Sequence, residues 1–416
     1  MMKIAMMTNN YKPFIGGVPI SIERLSEGLR AIGHEVVVFA PNYKGQEADE
    51  NIVRYHSFIK GIVNGVSVPN SFDSKIEKEF KEGHFDLIHV HHPMLIGRTA
   101  LYLSRKYNVP LCFTYHTKYE QYLHYIKAPF LANFVPYYVN DYISQCDMVF
   151  APTPSMRDYL SEIGSGTSLA VLPTGIGSDS FAADKEEVES LRNELLGGKK
   201  YLFCTVARLA KEKNIDFLFR ALAMRKNKQM NESTDMSDGC PDSDFRLAIV
   251  GEGPYRHELE KMAEKLNIRD EVVFVGKVSN AQVKNYCKAS DLFLFASQSE
   301  TQGIVLLEAM AAATPVLAVN ATGVRDVVVN GRNGYMTCMS EEEYNSRLES
   351  LLTHDREYLK QGALETAGKY EMQEIAKSAA VYYNTAIQNH RQNPEKVRGI
   401  RRIIDWGTVV WKHFIF

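Results

Sequence analysis

The chain has 416 residues, 45% of them hydrophobic and 24% charged. This is too long for one compact core and fits two domains plus extras, and the composition excludes wholesale disorder. A formal net charge of −2 gives no global pull toward nucleic acid or an anionic membrane, so any such attraction must be local. Six cysteines stand singly at Cys112, Cys146, Cys204, Cys240, Cys287 and Cys338, a usage that fits a reducing cytosol and argues against a zinc centre.

The first ten residues are too short an apolar stretch for a signal-peptide core and read as a first strand. Strands are expected at Lys3–Asn9, Val36–Ala40, Leu87–His91, Leu111–Tyr115, Met148–Pro152 and Leu169–Leu172, then at Tyr201–Ala207, Arg246–Val250, Val272–Val275, Leu292–Ala296 and Val316–Val319. Val, Ile, Phe and Leu dominate them without clean alternation, as burial on both faces requires. Helical patterns intervene, among them Ile20–Ile32, Lys185–Leu196, Pro254–Leu266 and Glu371–His390. Strand–helix alternation twice over predicts an α/β chain of two doubly wound, Rossmann-like parallel sheets. The turn-rich stretch Pro173–Asp184 marks the junction. The polar stretch Lys226–Asp244 reads as a surface insertion, and its Asp242-Ser243-Asp244 as part of that loop rather than a metal site. No run approaches the length that spans a bilayer.

Several motifs carry chemistry. Gly16 and Gly17 follow the first strand and precede a helix, a place where backbone approaches a ligand closely and helix amides suit a phosphate. The GxGxxG dinucleotide fingerprint is absent, which disfavours an NAD enzyme. His89, His91 and His92 cluster after a strand, but no carboxylate or thiol follows nearby, so no metal site is expected. Arg208 and Lys213 end one strand and open a helix. There they are either a solvated basic loop or a pair of cations for a departing diphosphate. Glu300 lies in a loop after Leu292–Ser297, and Glu308 lies inside the helix that starts near Gly303. A loop carboxylate accepts hydrogen bonds from sugar hydroxyls, a carboxylate one turn into a helix binds a ribose diol, and the amides of Ile304 and Val305 between them suit a phosphate. That spacing matches a nucleotide-sugar, against the plain alternative of an ordinary loop–helix junction.

The stretch Tyr115–Tyr142 is rich in tyrosine, with Lys118 and Lys127 interleaved. It reads as a packed helix pair or as an aromatic, basic surface for a lipid interface. In Val397–Phe416, apolar residues recur at helical spacing beside Arg398, Arg401, Arg402 and Lys412, and the tail holds both tryptophans of the chain, Trp406 and Trp411. This is the pattern of an amphipathic helix lying in an anionic membrane interface, or of a helix docked on the protein itself.

Together these motifs resemble the retaining glycosyltransferases of family 4, which adopt the two-domain GT-B fold. The resemblance rests on Glu300-x7-Glu308, on Gly16-Gly17, on Ala207-Arg208-Leu209 with Glu212-Lys213-Asn214, on Gly251-Glu252-Gly253-Pro254 and on Phe274–Val278; Ala207 replaces the usual Gly. It covers nearly the whole chain to about residue 390. It implies an acceptor-binding domain at 1–176, a nucleotide-sugar-binding domain at 177–370, a helix crossing back at 371–395 and a basic membrane-binding tail at 396–416. It also implies that His116 positions the donor hexose, that Gly16 and Gly17 lie beside the donor, and that the backbone at Val278 contacts the base. Thr114–Ile126 looks very like the bacterial diacylglycerol glucosyltransferases, which places Lys118, Tyr119 and Tyr122 with the acceptor and membrane. The expectation is a hexosyltransferase using UDP-glucose or another nucleotide-sugar without a metal or other cofactor, acting on a lipid acceptor at the inner face of the cell membrane, with no nucleic-acid partner. Mannosyl transfer to phosphatidylinositol, transfer to a cell-wall glycan and a non-catalytic sugar-nucleotide binder are the alternatives.

Overall fold

A computed structural model of the chain describes residues 1–14, 16–43, 46, 48–63, 66–118, 131–163, 167–232 and 243–392. Two compact units form: Met1–Gly175 with the chain from Gln373 onward, and Ile176–Met372.

The first unit runs β1 (Lys3–Met7), α1 (Gly17–Ala31), β2 (Glu35–Pro41), β3 (Ile52–Tyr55), β4 (Ser57–Val63), β5 (Val66–Pro69), α2 (Ser74–Gly83), β6 (Leu87–Val90), α3 (Ile96–Tyr107), β7 (Leu111–Thr114), α4 (Leu131–Ser144), β8 (Met148–Ala151), α5 (Pro154–Ile163) and β9 (Leu169–Val171). Seven strands make one parallel sheet in the order β3-β2-β1-β6-β7-β8-β9, while β4 and β5 pair as a separate antiparallel hairpin. Every residue of β6, β7 and β8 is buried, which explains their unbroken apolar runs. Because β1 pairs with both β2 and β6, the strand order reverses there, and the loops after β1 and β6 face each other across the carboxyl edge.

The second unit runs α6 (Lys185–Leu196), β10 (Tyr201–Val206), α7 (Ile215–Glu232), β11 (Phe245–Val250), α8 (Arg256–Lys265), β12 (Val272–Gly276), α9 (Asn280–Ala289), β13 (Leu292–Phe295), α10 (Ile304–Ala311), β14 (Val316–Val319), β15 (Gly334–Thr337), α11 (Glu341–Thr353) and α12 (Glu357–Gly368). Its parallel sheet has the order β12-β11-β10-β13-β14-β15. Successive side chains point to opposite faces. Leu292 and Leu294 therefore join Phe203, Leu317 and the α7 residues Phe217 and Leu218 on one side. Phe293 and Phe295 join Cys204, Val316 and the α10 residues Leu306 and Met310 on the other. Each such side chain contributes about 1.5–3 kcal/mol when fully buried. β10 pairs with both β11 and β13, so the reversal of strand order falls between β10 and β13.

The last helix, α13 (Met372–Gln392), leaves the second unit at once. Its Tyr383 hydroxyl lies 2.7 Å from His89 Nδ1, and His390 Nδ1 lies 3.0 Å from Asp147 Oδ2, both inside the first unit.

The structure adds elements that the sequence expectation lacks: β3, β15 and the β4–β5 hairpin. The polar stretch expected as an insertion is helical through Glu232, because α7 continues past Lys226. Beyond residues 233–242, Ser243 is buried and donates to Glu271 Oε1 at 2.7 Å, while both Asp244 oxygens accept from the buried Arg225 at 2.9 and 2.7 Å. Asp244 thus serves a structural ion pair; Asp242 lies outside the described residues. Among the described residues no helix is long and apolar enough to cross a membrane.

Candidate active site

In the second unit the reversal between β10 and β13 brings two loops together. The loop after β10 carries Arg208 and, at the end of a short 3-10 turn, Lys213; the loop after β13 carries Glu300. Lys213 Nζ lies 2.5 Å from Glu300 Oε1, and both side chains are about one-fifth exposed. Ser297, fully buried at the end of β13, donates its Oγ–H to the same carboxylate oxygen at 2.9 Å. Arg208 pairs with Glu212 at 2.5 Å and keeps half its side chain exposed. Asn214, left-handed at φ 58°, turns the chain into α7 and donates to the Ala296 carbonyl at 3.4 Å, tying the two loops together.

The neighbouring turn fixes the Arg208 segment. Leu209 N–H donates to Glu252 O at 3.1 Å, and Tyr255 N–H donates to Leu209 O at 2.9 Å. Gly251, at φ +136°, and Gly253 lie so close to this segment that a Cβ on either would fall 2.0 Å from the Ala207 carbonyl oxygen or 2.2 Å from that of Leu209. The two glycines of the Gly-x-Gly-Pro turn are therefore required by the loop that presents Arg208. Gly251 N–H donates in turn to Gly276 O at 2.8 Å, which sets the end of β12 and half-buried Val278 on the same edge.

Gly303 is the left-handed N-cap of α10 at φ 70°. The amides that follow, at Ile304 and Val305, belong to the first turn of a helix, where N–H groups have no intrahelical acceptor. Gly323 supports the approach: a Cβ there would sit 2.7 Å from the Glu300 carbonyl oxygen. Glu308, half-buried one turn on, is near enough that its charge, after hydrogen bonding to Cys204 and burial, helps push the Cys287 thiol upward. One sheet edge thus gathers two cations, each paired with a carboxylate, and a helix N-terminus, the kinds of group that bind phosphate.

In the first unit, Gly16 caps α1 at the carboxyl edge with Gly17 following it. A histidine cluster lies in and just after β6 and after β7. His89 is fully buried, with Nε2 2.7 Å from Thr114 Oγ1. His91 is buried and its Nδ1 lies 2.9 Å from Nε2 of half-buried His116. His92 Nδ1 accepts from the Asn9 amide at 3.2 Å. Burial pushes His89 and His116 down to about 3 and His92 to about 4, and it carries His91 well below its ordinary value, so all four rings are neutral at pH 7. Among the described residues no group of three or more His, Cys, Asp or Glu side chains is placed so that it could hold a metal ion.

Lys118 stands over the Tyr159 ring at 5.3 Å. Tyr115 and Tyr142 of the aromatic stretch are core residues, whereas Tyr137 is exposed. Tyr119, Tyr122, Arg398, Arg401, Arg402, Trp406 and Trp411 lie outside the described residues. Sequence reading did not single out Ser297 or Glu212. The signals were the position of Ser297 at a strand end and the place of Glu212 in the Glu212-Lys213-Asn214 motif.

Known proteins give this geometry a family. Residues 187–366 match the profile described as Glycosyl transferases group 1, and residues 15–179 match Glycosyltransferase Family 4. An alpha-monoglucosyldiacylglycerol synthase of Streptococcus pneumoniae is 32% identical over 336 residues, covering 76% of this chain and 71% of that one. The chain belongs to the family 4 glycosyltransferases. A second alpha-monoglucosyldiacylglycerol synthase, from Acholeplasma laidlawii, is 29% identical to this glycosyltransferase over 82% of its chain and 86% of the relative. The fold matches that of Anabaena HepE in complex with UDP and glucose, with a TM-score of 0.72 at 17% identity, covering 92% of this chain and 100% of that one. Sucrose-phosphate synthase of Thermosynechococcus elongatus matches with a TM-score of 0.73 at 19% identity, covering 92% and 98%.

Proposed function

We propose that this glycosyltransferase is a retaining enzyme that moves glucose from UDP-glucose to the free hydroxyl of diacylglycerol, giving an α-glucosyl lipid at the cytoplasmic face of the membrane. The observation that carries the reading is the Lys213–Glu300 pair beside Arg208 and the α10 N-terminus. The two similar alpha-monoglucosyldiacylglycerol synthases support the acceptor.

In this reading Glu308 holds the ribose and Glu300 the sugar hydroxyls. Arg208, Lys213 and the amides of Ile304 and Val305 take up the charge that grows on the leaving diphosphate. Gly16, Gly17 and His116 border the sugar, and the backbone at Val278 the base. The acceptor oxygen attacks the anomeric carbon from the face the diphosphate leaves. The C–O bond to phosphate breaks with its electron pair going to phosphate, and the acceptor proton passes to that same phosphate oxygen. The built-in cations neutralise the diphosphate, so no divalent ion is required. The basic tail at 396–416, with Lys118, Tyr119 and Tyr122, holds the enzyme at an anionic membrane.

The test is incubation of the purified protein with diacylglycerol vesicles and a panel of nucleotide-sugars, with and without a chelator, read by lipid mass spectrometry. An α-glucosyl diacylglycerol from UDP-glucose, formed equally in chelator, is expected. A mannosylated phosphatidylinositol from GDP-mannose, or no lipid product, would overturn the assignment.

A further inference from the structure

We infer that Leu95 is an acceptor-binding residue: it holds a backbone conformation made for glycine, and so presents an aliphatic side chain at the carboxyl edge of the first sheet to the glycerol and acyl portion of the lipid acceptor. Leu95 caps the start of α3 at φ 56° and ψ −101°. Gly97 N–H donates to Met94 O at 3.4 Å. Leu95 is therefore the first central residue of a tight turn, close to the type II′ geometry in which glycine dominates that position. A positive φ is uncommon for any residue with a Cβ and strained for a bulky one. Glycine would form the same turn without that cost.

The surroundings hold the strain from several sides. The side chain of Asn9, in the loop after β1, brackets Leu95: its Nδ2–H donates to Met94 O at 3.0 Å, and its Oδ1 accepts from the Ile96 amide at 3.2 Å. The Tyr138 hydroxyl donates to Pro93 O and that of Tyr142 to Gly97 O, both at 2.9 Å. A Cβ on Gly97 would run into the His92 carbonyl oxygen. Strained residues persist only where the structure over-determines them in this way, and they gather at ligand sites. Packing inside the protein is not what Leu95 gains, since it is 42% exposed while Ile96 beside it is fully buried. The loop after β6 lies where the strand order reverses, the place at which open α/β sheets bind ligands. Of the two substrates in the reaction proposed above, the nucleotide-sugar is polar along its length, whereas a leucine side chain offers only apolar contact. The occupant is therefore the lipid, an identity that rests on that reading. Tyr138 and Tyr142 also tie the loop to the tyrosine-rich stretch, so the two form one continuous surface.

The test compares wild type, Leu95→Gly and Leu95→Met on anionic phospholipid vesicles whose diacylglycerol fraction is varied at fixed total lipid, with UDP-glucose saturating. Leu95→Gly removes the side chain and the strain together. It is expected to lower kcat/KM for diacylglycerol roughly tenfold, the scale of one leucine side chain no longer withdrawn from water. Its melting temperature should hold or rise, its UDP affinity should stay within about twofold, and its cosedimentation with the vesicles should be unchanged. Leu95→Met keeps the apolar contact and is expected to retain most of the efficiency. Wild-type efficiency in Leu95→Gly, or equal losses in both variants, would overturn the inference. So would a lowered melting temperature, which makes the side chain part of the core, or a loss of vesicle binding, which makes it a membrane contact. If the wild type instead glycosylates phosphatidylinositol, the proposed function falls, and the same comparison on that lipid judges Leu95. A wild type active only on a water-soluble acceptor overturns both.

Discussion

Acidification to pH 5 should loosen the first unit well before the second. His89 and His91 are held neutral by burial, with folded-state values of about 3 and well below the ordinary range. In the unfolded chain both titrate near 6.5. The unfolded state therefore binds protons first as the pH falls. Stability is full above about 6.5 and declines by about 1.36 kcal/mol per pH unit for each ring until the folded values are reached. At pH 5 the His89 ring has lost about 2 kcal/mol, a sizeable part of a typical domain stability of about 5–15 kcal/mol, and His91 acts in the same direction. His92 and His116 push the same way. Carboxylates remain mostly ionised at pH 5, so the loss reports on histidine. The second unit's His257 and His354 are exposed, which makes that unit an internal control. Hydrogen exchange at pH 7.5, 6 and 5, corrected for intrinsic rates, should show β6 and β7 amides losing protection as the pH falls while β10 and β13 hold theirs. A melting transition assigned to the first unit should drop by roughly 4–8 °C from His89 alone. Unchanged protection of β6 and β7 at pH 5 would refute the claim that these rings are buried without charge.

The remaining predictions concern the second unit and the tail. Arg208→Ala and Lys213→Ala should each lower kcat by about a hundred- to a thousand-fold; normal turnover in both would remove them from the site. Ser297→Ala, which takes one hydrogen bond from Glu300, should cost roughly tenfold in kcat with an unshifted melting temperature, and an unaffected rate would make the bond incidental. Gly251→Ala drives a Cβ into the Ala207 carbonyl, so UDP affinity measured by calorimetry should fall along with stability; wild-type affinity would show that the Arg208 loop is not held by that turn. Removing residues 395–416 should leave UDP binding intact and reduce cosedimentation with anionic vesicles, and equal cosedimentation would reject a membrane role for the tail.

The buried strands were legible because burial on both faces leaves one compositional option. In β13, Leu292-Phe293-Leu294-Phe295 is apolar at every position since each side of the sheet takes alternate residues. α6 was legible end to end: Asp184 caps it by accepting from the Glu187 amide at 2.9 Å, and Gly197 ends it left-handed. Two of the strands that escaped notice, β3 and β15, are four residues long. β3 is half-exposed over Ile52–Arg54 and holds a charged residue, and β15 opens with a glycine whose Cβ would meet the Val316 carbonyl oxygen at 2.2 Å. Such elements exist because a neighbouring strand offers a ladder, and no local pattern announces that. The helical half of the polar stretch 226–244 was missed for a related reason. α7 gains its stability from Phe217, Leu218, Phe219 and Leu222 packed on the sheet, and it carries a polar final turn along with them.

The site divides along the same line between what a residue is and what it meets. The residue types of Lys213 and Glu300 could each be read alone, as a cation for phosphate and a carboxylate for hydroxyls. Their union could not, because they are 87 positions apart and meet only where β10 and β13 pair. That contact makes the two roles dependent. An ion pair one-fifth exposed on both sides is costly to break by deleting one member, since the other charge is left partly desolvated. On the proposed roles, a substitution at Glu300 releases Lys213 as well as the sugar, and one at Lys213 leaves Glu300, among the described residues, to Ser297. Turnover losses at the two positions should accordingly fall well short of additive when combined, and the shortfall measures how far holding the sugar and neutralising the phosphate are one act in this enzyme.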